Sequence, residues 1–195
     1  LYYHGEMKEY IIGIDEVGRG PLAGPVMVAV VAMPLSLKID DLKDSKALTE
    51  FQREEWFEWL SRHPEIKYEV AQVSSKIIDR INITQAANLA ATRAYKKLNM
   101  PGFVILDAGL KLNINSGVNF QSMVKADEKY DCVKLASIAA KVLRDRLMKK
   151  YHKTYPQFGF DRNKGYGTEE HIAALVSTGK SPLHRESFIK KILLG

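Results

Sequence analysis

Ile11-Ile-Gly-Ile-Asp15-Glu16-Val-Gly18-Arg19-Gly20-Pro21-Leu-Ala-Gly24-Pro25 decides how the rest of the chain is read. It opens as an apolar run of strand type, Ile11 to Ile14, and then sets two carboxylates side by side. Burial disfavours charge, so an apolar strand that ends in Asp-Glu marks a place where a cation or a reaction offsets the cost. Gly18, Gly20 and Gly24 around Arg19 describe a backbone that turns sharply or lets a ligand approach its amides. Carboxylates suit a metal, and an arginine with bare amides suits a phosphate. Together they point to metal-dependent work on a phosphodiester.

Outward from this stretch the pattern alternates. Ile11–Glu16 predicts a first strand and Val26–Ala32 a second, the latter a nearly unbroken apolar run suited to a buried position. Thr49 with Gln52 three residues later predicts a capping box opening a helix to about Arg62, with Trp56, Phe57 and Leu60 as its inner stripe. Tyr68–Val73 alternates as a strand. A helical stretch follows Ser74 and Ser75, interrupted near Asn82 and running to Asn99, its alanines at 86, 87, 90, 91 and 94 implying close packing on a sheet. Phe103–Leu106 predicts a short strand ending at Asp107, and Val118–Val124 another leading to Asp127. Helices are expected over Leu135–Lys150, from Thr168, and over Ser187–Leu194. The sum is an α/β fold, a sheet with helices on its faces and a helical C-terminal part.

Three predicted strand ends finish in acid: Asp15-Glu16, Asp107 and Asp127. Ligands bind at the carboxyl ends of strands in open α/β sheets, where strands distant in sequence become neighbours. Four carboxylates converging there repel one another without a counter-charge. Two divalent cations about 4 Å apart would supply it and clamp the attacking and leaving oxygens of a phosphoryl displacement. All-oxygen ligation selects Mg²⁺ or Mn²⁺ over zinc. One tension remains: on a regular strand Asp15 and Glu16 point to opposite faces, so the strand must end or twist there for both to serve.

The 195 residues suit one domain with a good core, and the net charge of +6 is uneven. Residues 1–124 hold 14 Lys/Arg and 15 Asp/Glu, whereas residues 125–195 hold 15 and 8. A basic C-terminal part on a near-neutral core suits a polyanion. Cys132 is the only cysteine, which excludes an intrachain disulfide and a cysteine-based zinc cluster and suggests a reducing, cytoplasmic setting. No apolar run approaches the roughly 18 residues of a membrane span, so no membrane partner is expected.

The motifs resemble those of prokaryotic type 2 ribonuclease H, ribonuclease HII. The resemblance is carried by Asp15-Glu16-Val-Gly18-Arg19-Gly20-Pro-Leu-Ala-Gly24-Pro25, Asp44-Ser45-Lys46-Ala-Leu, Leu106-Asp107-Ala-Gly and Val124-Lys125-Ala-Asp127. It continues through Ala136-Ser137-Ile138-Ala-Ala-Lys141-Val-Leu-Arg144-Asp145, Asn163-Lys-Gly165-Tyr166-Gly167-Thr168 and His184-Arg185-Glu-Ser-Phe188, in family order along nearly the whole chain. It implies a ribonuclease H-like fold, a five-stranded mixed sheet flanked by helices. Residues 1–195 would form a single catalytic domain, with about 155–195 as a basic helical C-terminal extension. It implies endonucleolytic hydrolysis of the RNA strand of RNA–DNA hybrids, and incision 5′ to single ribonucleotides in duplex DNA, leaving 3′-hydroxyl and 5′-phosphate ends. By the same resemblance Asp15, Glu16, Asp107 and Asp127 are the catalytic, metal-binding carboxylates, and Gly18, Arg19 and Gly20 contact the ribonucleotide's 2′-hydroxyl and adjacent phosphates. Tyr166 packs on the neighbouring sugar.

Ser45 and Lys46 are expected to hold backbone phosphates or to shape their loop. By charge, Lys141, Arg144, Arg146, His184 and Arg185 are candidate phosphate contacts. His152 and His171 read as structural, and Asp145 as an ion-pair partner within its helix. A monomer is expected. Two alternatives stay open: a type 3 ribonuclease H, against which Arg19 and the short N-terminus argue, and a non-catalytic binder of hybrid duplexes, which would not need divalent ions.

Overall fold

The computed structural model describes residues 9–114, 120–124 and 126–194. Among the described residues five strands form one mixed sheet: β1 (Tyr10–Val17), β2 (Val26–Pro34), β3 (Lys67–Val73), β4 (Phe103–Asp107) and β5 (Phe120–Met123). Their order is β3-β2-β1-β4-β5. The β1/β2 and β2/β3 pairs are antiparallel, and β1/β4 and β4/β5 are parallel. The five-stranded mixed sheet that the resemblance implies is therefore present.

Each face of the sheet is covered by a long helix, α2 (Ser75–Leu98) on one side and α4 (Asp131–Thr154), with α1 (Glu50–Arg62), on the other. This is why β2 is apolar without alternation: all nine of its residues are buried. On α2, the alanines at 86, 87, 90, 91 and 94 are all fully buried, so the helix lies close to the sheet. Asn82 interrupts it at φ 66°, and its side-chain oxygen accepts the N–H of Gln85, restarting the helix. On the other face α4 comes down onto β1 at Gly13, where a Cβ would lie 2.3 Å from the carbonyl carbon of Cys132. Only glycine permits that approach. Thr49 and Gln52 form the expected reciprocal cap on α1.

Several boundaries differ from the sequence reading. The helix expected over Leu135–Lys150 runs from Asp131 to Thr154. Of the expected strand Val118–Val124, β5 is Phe120–Met123, and residues 118 and 119 lie outside those described. Asp127 does not end a strand. It sits in the first turn of a short helix, α3 (Ala126–Lys129), because the chain leaves the sheet after Met123 and the Ala126 N–H turns to the Asp107 carboxylate.

After α4 come a 3₁₀ turn (Pro156–Phe158), a short α5 (Phe160–Asn163), α6 (Glu169–Thr178) and α7 (Glu186–Leu193). Phe158 and Phe160 pack with Ala23 and Met148 in a small third core beneath the glycine-rich loop. Asp79 of α2 accepts the N–H groups of Glu186 and Ser187, each at 2.9 Å, and so caps α7 from another helix.

Candidate active site

The β1/β4 ladder pairs Ile11 with Phe103 through Ile14 with Leu106 and then stops. The next residues are Asp15 and Asp107. β1 continues beside β2 as far as Val17, so on its β4 side the sheet opens into a cleft. This resolves the tension over Asp15 and Glu16. Their strand stays regular; it is the neighbouring strand that ends, and side chains leaving opposite faces reach the same opening. Asp15, Glu16 and Asp107 each present an oxygen within 4.8 Å of the others.

The cleft holds about 360 Å³ and is lined by Asp15, Glu16, Asp107 and Asp127 together with Gly18, Arg19, Gly20, Ser45, Lys46 and Tyr166. Sequence-distant candidates thus meet in one place. Burial pushes the Asp15 carboxyl up to about 8, with the charges of Glu16 and Asp107 adding to it and a hydrogen bond from Ser137 opposing it. Burial also raises Glu16, against the pull of Arg19, whose Nε lies 2.7 Å from Glu16 Oε1. The other oxygen, Glu16 Oε2, is buried without a hydrogen-bond partner. An unsatisfied buried carboxylate oxygen beside two further acids, one with its pKa driven upward, fits a divalent cation held by oxygen ligands. Asp127 stands slightly apart, its Oδ2 taken by Lys46 Nζ at 3.0 Å.

The surrounding polar groups have definite partners. Arg19 Nη2 donates to the carbonyl of Gly109. Ser45 is buried and its hydroxyl meets that of Ser137 at 2.8 Å, so it shapes its loop, while Lys46 extends from that loop with a largely exposed side chain. The Tyr166 ring stands beside Gly20 and is 41% exposed.

The five basic candidates separate. Lys141 lines the cleft and pairs with Asp145, which is the ion-pair partner its helix position implied. Arg146 pairs instead with Glu54 of α1 and lies over the Phe57 ring. Arg144 and Arg185 are fully buried, and their guanidiniums are spent on backbone carbonyls. Arg144 donates to Pro25, Lys164 and Ala23; Arg185 donates to Gly18, Arg19 and Gly24. His184 is buried against His171. Direct phosphate contact by Arg144, His184 and Arg185 is therefore corrected to a role inside the fold: they hold the glycine-rich loop. Charge counting missed this because a run of basic residues looks the same in sequence whether it faces solvent or carbonyls. Gly18 shows how tight the hold is: its φ is 91°, and a Cβ there would lie 2.3 Å from Arg144 Nε.

Two polar residues of the cleft, Ser137 and Arg53, have no role in the sequence reading. Ser137 was legible in its motif but not its bond to Asp15. Arg53 Nη1 donates to the Ser45 carbonyl, and one turn inside a capped helix start was its only signal.

The family model for ribonuclease HII matches residues 12–191. The chain belongs to that family. It is 44% identical to ribonuclease HII of Caldicellulosiruptor bescii over 96% of this chain and 90% of that protein. Against ribonuclease HII of Treponema denticola it is 43% identical over 94% of this chain and 100% of that one. Among solved structures, ribonuclease H2 from Pyrococcus horikoshii OT3 is similar at a TM-score of 0.77 and 29% identity, covering 95% of this chain and 97% of that one. The ribonuclease HII of the PCNA:RNase HII complex from Archaeoglobus fulgidus is similar at 0.72 and 27%, covering 92% and 94%. A Bst-RNase HIII shares the fold at a TM-score of 0.76 and 21% identity, covering 96% of this chain but 70% of that one. As a ribonuclease HII the chain is a hydrolase, an endoribonuclease acting on RNA–DNA hybrids with a divalent metal ion, which decides against the type 3 and non-catalytic alternatives. Among the described residues, no helix is long and apolar enough to cross a membrane.

Proposed function

We propose that this ribonuclease HII incises 5′ to single ribonucleotides embedded in duplex DNA as well as within longer hybrids, leaving 3′-hydroxyl and 5′-phosphate ends, through a two-metal site. The observation that carries the reading is the shared cleft: the four acids, the Gly18–Gly20 loop and Tyr166 line one opening of about 360 Å³. Asp15, Glu16, Asp107 and Asp127 would hold two divalent ions, Mg²⁺ or Mn²⁺, which would supply the counter-charge for the acids and Lewis-acid polarisation of the phosphodiester and the attacking water.

The chain's own groups do the rest. Gly18, Arg19 and Gly20 bring backbone to the ribose 2′-hydroxyl, the group that tells RNA from DNA at a given site. Their approach is fixed because Arg185 holds the Gly18 and Arg19 carbonyls from beneath. Tyr166, half out of the cleft beside Gly20, packs on the next sugar and reads the RNA-to-DNA junction. Lys46 and Lys141 meet the phosphates at the cleft's edge, Lys46 leaving Asp127 as it does so. No side chain acts as a nucleophile. We read residues from about 155 onward as an extension of the same domain, and the protein as a cytoplasmic monomer working in ribonucleotide excision.

The test is cleavage of a DNA duplex containing one ribonucleotide, with Mg²⁺, with Mn²⁺ and with chelator. Metal-dependent incision 5′ to the ribonucleotide is expected. Cutting of long RNA tracts alone would remove the junction-reading role from Tyr166 and leave the carboxylate site standing.

A further inference from the structure

Outside the carboxylate cleft, two buried histidines form an array in which every proton has one place to be. His171 Nδ1 lies 2.8 Å from the Tyr166 carbonyl oxygen, which can only accept, so Nδ1 carries the hydrogen. His184 Nδ1 receives the Ser181 N–H at 2.9 Å, which can only donate, so the hydrogen of His184 is on Nε2. The two Nε2 atoms are 3.0 Å apart. His184 therefore donates and His171 accepts, with one proton in the gap. A further proton on His171 Nε2 would meet the His184 N–H head-on, and one on His184 Nδ1 would displace the Ser181 N–H, leaving only the Ser181 hydroxyl, also 2.9 Å away, to accept it. Burial lowers the pKa of both, His184 to about 4, which keeps them neutral.

The array sits between pieces of chain that build the substrate surface. Phe158 and Phe160 cover the imidazoles, their centroids 4.7 Å from His184 and 5.4 Å from His171, respectively. Backbone bonds stitch the same three segments: Leu22 N–H to Gly165, Gly24 N–H to Leu183, and Arg185 N–H to Leu22. His184 is followed directly by Arg185, whose guanidinium grips Gly18 and Arg19.

We propose that the His171–His184 pair is a positioning element for ribonucleotide recognition, locking the Tyr166 loop to the Ser181–Arg185 segment and, through Arg185, to the Gly18–Gly20 loop. The proposal rests on the roles given above to Tyr166 and the glycine loop. The pair acts on selectivity between substrates and leaves the metal site alone.

Nitrogen-15 NMR of histidine-labelled intact protein at pH 7 is the first test. His171 is expected as the Nδ1–H tautomer and His184 as the Nε2–H tautomer; matching tautomers, or a charged ring, overturn the proposal. Conservative variants then divide the array. His171→Gln can still reach His184 but not the Tyr166 carbonyl, whereas His171→Asn keeps a donor toward Tyr166 and falls short of His184. His171→Gln is expected to lower kcat/KM on a single-ribonucleotide duplex ~10-fold more than on a long hybrid, with His171→Asn partly restoring the ratio and Mn²⁺ affinity unchanged in both. Equal losses on both substrates, or none, overturn the positioning role. Failure of the wild-type protein to incise at a single ribonucleotide would instead defeat the underlying reading of Tyr166 and the glycine loop.

Discussion

Two groups of buried ionisable residues lie within a few turns of chain of each other, and they are treated in opposite ways. At the end of β1 and β4, Asp15 and Glu16 are raised by burial, and Glu16 Oε2 has no partner. Beneath the neighbouring loop, Arg144, His171, His184 and Arg185 are as deeply buried, and their polar atoms meet carbonyls, N–H groups or each other. Burial pushes Arg185 down to about 9, with repulsion from Arg144 adding to it, and three backbone carbonyls compensate. An unfinished polar cluster is poised for an external cation. A finished one belongs to the architecture.

The comparison breaks most sharply by removing one member from each cluster. Asp107→Asn or Asp15→Asn should lower kcat by ~10³-fold or more, while the chelated protein melts no lower than wild type, because an ionisable carboxyl has been removed from a crowd of acids. Near-wild-type turnover in either variant would defeat the assignment of the acids. Arg185→Met should do the reverse in order of cause. Leaving the Gly18, Arg19 and Gly24 carbonyls without their donor should cost about 3 kcal/mol of stability, measured by urea unfolding, and activity should fall with the folded population and with disorder of the loop.

A smaller effect sharpens the contrast through pH, since the two clusters run in opposite directions. The folded-state pKa of Asp15 is raised from 3.8 to about 8, so its contribution is fully present below pH 3.8 and is lost as pH rises through 8. His184 is lowered from 6.5 to about 4, so its contribution is present above pH 6.5 and is lost as pH falls toward 4. Adding Mg²⁺ cancels only the acidic term. The rise in melting temperature on adding Mg²⁺ should therefore be larger at pH 8 than at pH 5, and Asp15→Asn should flatten the difference; an equal increment at both pH values in the wild type would refute the link.

Smallest of all is Arg146→Ala. Its partner Glu54 and its own side chain are partly solvated, so stability should change by about 0.5 kcal/mol and hybrid cleavage by less than about twofold. A large loss of hybrid affinity would return Arg146 to the phosphate contacts.

Much of this was legible in the chain because the signals are local. The capping box at Thr49 and Gln52, the break at Asn82 and the apolar β2 each follow from side chains within a few residues, and each falls where the pattern places it. Asp127 was harder to place, since strand and short helix differ there by a hydrogen bond to Asp107, 20 residues away in sequence. The basic residues were hardest. Arg144 and Lys141 stand three positions apart on one helix, yet one faces the interior and the other the cleft.

Most of the elements, the family motifs and the candidacy of the four acids were already set by the sequence, because these depend on residue type, spacing and periodicity. The tertiary structure decided which charges are finished and which are left open. It ended β4 at Asp107 so that Asp15 and Glu16 share a cleft, turned Arg144 and Arg185 inward onto carbonyls, and brought His171 against His184. Those outcomes turn on distances of about 3 Å between residues far apart in the chain, where a hydrogen bond is made or missing, and no local pattern encodes them.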